Sequence, residues 1–200
     1  FKFDAYRWVN NLDRYAQKAG AVNTIKFSNG ISSGYNTDGI GLIRDLSRMN
    51  WEIDGKRILI VGAGGAAAGI IGPLVDAGSF ITLTNRTLSK ADQLAKSNPE
   101  VSVCAREATC QDWDIVINAT SVGLRGNADI VPEGAIEGAR CYDLIYRLGD
   151  RTPFIEWASD KALEVSDGLG MLIEQAAEAF FLWRSIRPTT KGLVETLRYT

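Results

Sequence analysis

The sequence predicts an α/β protein built on a doubly wound parallel sheet, with part of a smaller α/β lobe at its start. Three observations carry that expectation. From Lys56 onward, short β-branched runs alternate with helical patterns, the rhythm of parallel strands joined by crossovers. The first of these runs, "KRILIVGAGG", ends in glycines and leads straight into a helix of small residues. The 200 residues are 46% hydrophobic and 23% charged, an ordinary globular mixture with room for a sizeable core.

The elements follow in order. Asp4 to Lys18 reads as one helix, with Trp8, Leu12 and Tyr15 at helical spacing and Gly20 as its breaker. "AVNTIKF" and "ISSGYNT" flank Ser28-Asn29-Gly30, a hairpin signal. Thr37 or Asp38 caps a helix over "GIGLIRDLSRMN". "KRILIV" is the first strand of the main sheet. Its following helix contains Pro73, which removes one ladder hydrogen bond and predicts a kink. A strand over Phe80–Thr84 and a helix over Leu88–Lys96 come next. "VSVC", "DIVINAT", "RCYDLIY" and "ALEVS" supply further strands. The amphipathic run "LGMLIEQAAEAFFLWR" and a short helix near Thr189–Arg198 close the chain. The expected division is 1–37 for the first lobe, 38–167 for the sheet domain, and 168–200 for helices returning to the first lobe.

Composition excludes several chemistries. There is no histidine, which removes Ser-His-Asp and Cys-His catalysis and His-based zinc sites. No metal site is expected. Cys104, Cys110 and Cys141 are odd in number and lack ligand spacing, so they are expected as reduced, buried thiols of a cytoplasmic protein. A net charge of −2 gives no pull toward nucleic acid or anionic lipid. No apolar run approaches the roughly 18–20 residues of a membrane span. The expected partner is a small molecule, and the chain is expected as a monomer or homodimer.

"VGAGGAAAGI" places Gly62, Gly64 and Ala67 in the G-x-G-x-x-A pattern of a Rossmann-like dinucleotide site. Gly62 permits the tight turn, Gly64 lets backbone approach a pyrophosphate, and Ala67 lets the helix pack on the sheet. Ala63, Gly65 and Ala66 complete the turn. At the end of the next strand an NAD site carries an acid for the ribose hydroxyls. Here the place holds Asn85-Arg86-Thr87, with Lys90 one turn on. Arginine can grip a 2′-phosphate bidentately, and cations at a helix N-terminus are unfavourable without an anion. The expected cofactor is therefore NADP. Asn118 and Thr120 end a strand where open α/β sheets bind ligands; ordinary turn chemistry accounts for them equally well.

Spacing alone does not choose the reacting groups. Asp38, Asp143 and Asp167 are candidate acids, and the lysines are many. Gln175 lies among Met171, Leu172, Ala179 and Leu182 at helical spacing. An amide there needs a partner, which could be a ligand hydroxyl or a neighbouring element.

The series "AGAVNT", "YNTDGIG", "GAGGAA", "NRTLSK", "INATSVG", "YDLIY", "TPF" and "DGLGMLIEQAAEAF" resembles the shikimate dehydrogenase family along essentially the whole chain. The resemblance implies reduction of 3-dehydroshikimate to shikimate with NADPH, in aromatic amino-acid biosynthesis. It implies Lys2 and Asp38 as the pair that holds the reacting hydroxyl and moves its proton. It further implies Asn23, Tyr146 and Gln175 on the other substrate hydroxyls, and Leu144, Gly168 and Met171 around the nicotinamide. The family's N-terminal strand, with paired serines for the substrate carboxylate, has no counterpart here. A chain short of its first quarter, with weak or no turnover, is the resulting expectation. The alternatives are a quinate/shikimate dehydrogenase of broader use and a non-catalytic NADP-binding module.

Overall fold

The protein is described from a computed structural model, which describes residues 1–121 and 130–198. Chain order gives α1 (Lys2–Trp8), β1 (Asn11–Leu12), α2 (Arg14–Ala19), β2 (Thr24–Ser28), β3 (Ile31–Tyr35) and α3 (Asp38–Arg48). Then come β4 (Arg57–Val61), α4 (Gly65–Asp76), β5 (Phe80–Thr84), α5 (Leu88–Lys96), β6 (Ser102–Val103), β7 (Ile115–Asn118) and β8 (Arg140–Asp143). The chain closes with α6 (Pro153–Ala158), β9 (Glu164–Asp167), α7 (Leu169–Arg184) and α8 (Leu193–Arg198). "INATSVG" extends over 122–123, outside the described residues.

The expected first helix is in fact two helices with a strand between them. Asp13 caps α2 by accepting from the Ala16 N–H, so the helix restarts there. Asn10 bonds Ser32, and Asn11–Leu12 pairs in parallel with Ser33–Gly34 of β3. Tertiary pairing thus overrides the helical spacing. The hairpin forms as expected, β2 to β3, with Asn29 and Gly30 at φ 50° and 77°, the pattern of a tight two-residue turn.

The main sheet is six-stranded in the order β6-β5-β4-β7-β8-β9, with every pairing parallel. Both faces of β4 are buried. Ile58 and Ile60 join one core with Ile70, Ile71 and Leu74 of α4 and Leu42 and Leu46 of α3. Leu59 and Val61 join the other core with Phe154 and Ile155 of α6. That two-sided burial explains the unbroken apolar run. Strand order reverses between β4 and β7, which opens a crevice at their carboxyl ends.

α4 continues through Pro73 to Asp76. Proline leaves the Gly69 carbonyl without its ladder donor. α3 packs into that spot through Gly39, where a Cβ would come 2.7 Å from the Gly69 oxygen and 2.4 Å from the Pro73 ring. α7 crosses α3 as closely at Gly41, where a Cβ would lie 2.7 Å from the Gln175 nitrogen. A buried polar clamp reinforces the junction: Tyr142 of β8 donates to Asp45 of α3 at 2.6 Å, and Arg48 pairs with the same carboxylate. Burial pushes both the Asp45 carboxyl and the Tyr142 hydroxyl up.

The cysteines depart from expectation in part. All three are free, but only Cys141 is buried, its thiol pushed up to about 12 by burial; Cys110 is exposed. Among the described residues no helix is long and apolar enough to cross a membrane.

Candidate active site

Two constellations meet along α4. The first gathers residues far apart in sequence. Asp38 opens α3, buried against Gly69 of α4, where a Cβ would sit 3.1 Å from Oδ2. Lys2 Nζ meets that oxygen at 2.7 Å, with its side chain half exposed. Asn23 Nδ2 donates to the other carboxylate oxygen at 2.8 Å and to the Thr37 hydroxyl at 3.0 Å. Asn23 Oδ1 in turn accepts from the Thr37 N–H and the Thr24 hydroxyl. Gln175 Oε1 stands 3.4 Å from the same Asn23 amide, a long contact. Lys2 is held by its backbone as well, since its carbonyl accepts from the Val22 N–H. The result is an ammonium locked on a carboxylate, with two amides beside it. Such a group can donate and receive a proton at an oxygen held against it.

The second is a crevice of about 650 Å³ at the carboxyl ends of β4, β5, β7 and β8. Gly62, Ala63, Gly64, Gly65 and Ala66 form its floor, and Asn85, Arg86, Thr87 and Lys90 one end. Gly62 has φ 119°, and a Cβ there would come 2.9 Å from the Ala119 carbonyl, so glycine is required. Asn85 Nδ2 donates to the Thr87 carbonyl and braces the turn. Arg86 and Lys90 are exposed at the start of α5, where Thr87 makes no side-chain cap. Neither has an ion-pair partner among the described residues. Two bare cations at a helix N-terminus fit an anionic group. Thr84, on the same wall, keeps a buried hydroxyl oxygen without a hydrogen-bond partner among the described residues. The turn, the cations and this oxygen fit a phosphorylated dinucleotide.

Thr120 and Leu144 also line the crevice. Asn118 instead lies buried beneath it, bonded to Asp143 and Thr120. Gly168 packs on the Leu144 carbonyl, 2.3 Å from where its Cβ would be. Met171 is buried in the core against which Leu144 packs. Tyr146 is 38% exposed and bonded to none of the Lys2–Asp38 group. The candidate acid Asp167 is paired with Arg198. Sequence reasoning missed Thr84, Arg106 and Ile130 on the crevice wall. It also missed Thr37, the hydroxyl that orients Asn23; an N-cap threonine beside an acid was the available signal.

The family model for shikimate / quinate 5-dehydrogenase matches residues 45–137, and that for the shikimate 5′-dehydrogenase C-terminal domain matches residues 168–198. The shikimate dehydrogenase (NADP(+)) of Cellvibrio japonicus is 42% identical over 99% of this chain and 74% of its own. The chain belongs to the shikimate dehydrogenase family. Solved structures of similar shape include an Ael1 enzyme from Pseudomonas putida, with TM-score 0.92 and 36% identity over 98% of this chain and 75% of that one. The family's Thermus thermophilus enzyme in complex with NADP(H) and shikimate has TM-score 0.85 and 33% identity, over 99% of this chain and 75% of that one.

Proposed function

We propose that the protein catalyses the reversible, NADPH-dependent reduction of 3-dehydroshikimate to shikimate. The observation that carries this reading is the Lys2–Asp38 pair at 2.7 Å, packed on the helix that begins at the glycine turn. Family membership, with relatives named as NADP(+)-dependent shikimate dehydrogenases, supports the same reaction. A chain without histidine needs another proton carrier, and lysine supplies it.

In this reading Lys2 Nζ gives its proton to the substrate oxygen during reduction and takes it back in the reverse direction. Asp38 holds the ammonium in place and accepts from the reacting hydroxyl. Asn23, Gln175 and Tyr146 hold the remaining ring hydroxyls. NADPH, when bound, supplies the hydride. Gly62 to Ala66 pass the pyrophosphate over the α4 N-terminus, and Arg86, Thr87 and Lys90 grip the 2′-phosphate. Leu144, Gly168 and Met171 shape the nicotinamide end. The segments before residue 38 and after residue 167 form the substrate side, and 38–167 the cofactor side. The close crossing of α3 and α7 at Gly41 supports that joint. A cytoplasmic location is part of the proposal, supported by three unpaired thiols.

The test is NADP⁺ reduction by the protein with shikimate and quinate side by side. Turnover of shikimate at the higher kcat/KM supports the proposal. Preference for quinate, or shikimate turnover that Lys2→Ala leaves unchanged, overturns it.

A further inference from the structure

Beneath the cofactor crevice lies a buried polar knot that the proposed reaction does not use. Asp143, the last residue of β8, is 0% exposed. Its Oδ1 accepts from Asn118 Nδ2 at 3.0 Å and from the Ile145 N–H at 3.1 Å, and its Oδ2 accepts from the Thr152 hydroxyl. Asn118, the last residue of β7, is buried as completely. Its Oδ1 accepts from the N–H of Thr120 at 3.0 Å and from the Thr120 hydroxyl at 2.7 Å. The crevice wall after β7 is Ala119, Thr120 and Ser121; the wall after β8 is Leu144 and Ile145. One carboxylate therefore ties the two walls together.

We propose that Asp143 is a positioning residue for the cofactor crevice: its carboxylate sets one wall through Asn118 and the other through Ile145, so cofactor binding weakens when it takes up a proton. The proposal rests on the crevice being an NADP site. From β9, Asp167 faces Asp143 in register and is paired with Arg198 of α8. The faces from β7 and α6 present only the uncharged Asn118 and Thr152. Burial pushes the Asp143 carboxyl up to about 6, within reach of ordinary buffers. Once protonated, one oxygen becomes a donor. A proton on Oδ2 makes the Thr152 hydroxyl an acceptor, and the neutral acid's Oδ1 holds Asn118 and the Ile145 N–H more weakly than a carboxylate does.

The test is calorimetric titration with NADP⁺ from pH 5 to pH 8, on wild type, Asp143→Asn, Thr152→Val and Thr152→Ser. The ligand's own 2′-phosphate titrates near 6 and adds the same trend to every protein. The readout is therefore the ratio of variant Kd to wild-type Kd. Asparagine mimics the protonated acid. Asp143→Asn is expected to bind about threefold to tenfold more weakly at pH 8, with the ratio falling toward one at pH 5. Thr152→Val removes a donor from the carboxylate and moves the wild-type break to higher pH, whereas Thr152→Ser keeps it in place. A ratio that stays flat with pH, or an unmoved break in Thr152→Val, overturns the positioning role while leaving the cofactor reading intact. Absence of NADP⁺ binding in the wild type overturns both.

Discussion

Lys2 and Asp38 already hold each other at 2.7 Å, whereas Arg86 and Lys90 hold no carboxylate among the described residues. In the Lys2–Asp38 cluster, Asn23 bonds Asp38 and Thr37 through its amide. In the crevice, Arg86 and Lys90 have no ion-pair partner, and the Thr84 hydroxyl oxygen no hydrogen-bond partner, among the described residues. The difference teaches where binding energy goes. A prepaired site has little to gain in ground-state binding, so in the proposed reaction its worth lies in placing a proton for the transition state. An unpaired fork gains its charge-assisted bonds when the cofactor binds, so its worth lies in affinity and selectivity.

The largest effect falls on the prepaired side. Lys2→Ala removes the proposed proton carrier and is expected to lower kcat about 10²- to 10⁴-fold, measured as NADP⁺ reduction with saturating shikimate. A loss confined to KM would break the contrast.

A third region, the knot beneath the crevice, sharpens the contrast through pH. Burial raises the Asp143 carboxyl from 3.8 to about 6 in the folded chain. The folded state binds that proton more tightly than the unfolded chain. Its contribution to stability is therefore fully present below pH 3.8 and is lost as pH rises through about 6. The gap corresponds to about 3 kcal/mol. Asp143→Asn is expected to melt above wild type at pH 8, with the gain gone near pH 4, as followed by circular dichroism. An equal offset at both pH values would contradict this.

The cofactor fork comes next. Arg86→Ala is expected to raise KM for NADPH about tenfold to a hundredfold, the worth of hydrogen bonds to a charged group, and to leave NADH nearly unchanged. Equal effects on the two cofactors would remove the 2′-phosphate clamp. The smallest effect belongs to Gln175, whose 3.4 Å contact with Asn23 is the loosest in the substrate cluster. Gln175→Ala is expected to raise KM for shikimate about twofold to tenfold, with the melting temperature held.

How far the sequence could be read follows the same divide. The cofactor crevice is written locally: the glycine turn and the fork are short contiguous stretches whose geometry follows from strand, turn and helix. The cluster around the Lys2–Asp38 pair joins residues 2, 23, 38 and 175, and no spacing rule brings those together. Asp38 and Gln175 stand out one by one, as a candidate acid and an amide on an apolar stripe, but only the family resemblance named Lys2 and Asn23 and joined the four. The knots on β8 were illegible for the same reason, since Asp45 meets Tyr142 and Asn118 meets Asp143 across different elements. The first helix was misjudged because Trp8, Leu12 and Tyr15 keep helical spacing while Asn10 and Asp13 bond outside any helix. An Asn-Asn pair followed by a capping aspartate was the overlooked sign. Asn118 was expected on the crevice wall, but its side chain turns down to the buried carboxylate, a choice set by β8 rather than by its own strand.

The most direct measurement is a paired calorimetric titration of NADP⁺ and NAD⁺ into wild type, Arg86→Ala and Lys2→Ala. Lys2→Ala should bind both cofactors as wild type does, and Arg86→Ala should lose its preference for NADP⁺. If Lys2→Ala weakens NADP⁺ as much as Arg86→Ala does, the division between a prepaired catalytic side and an unpaired binding side is wrong.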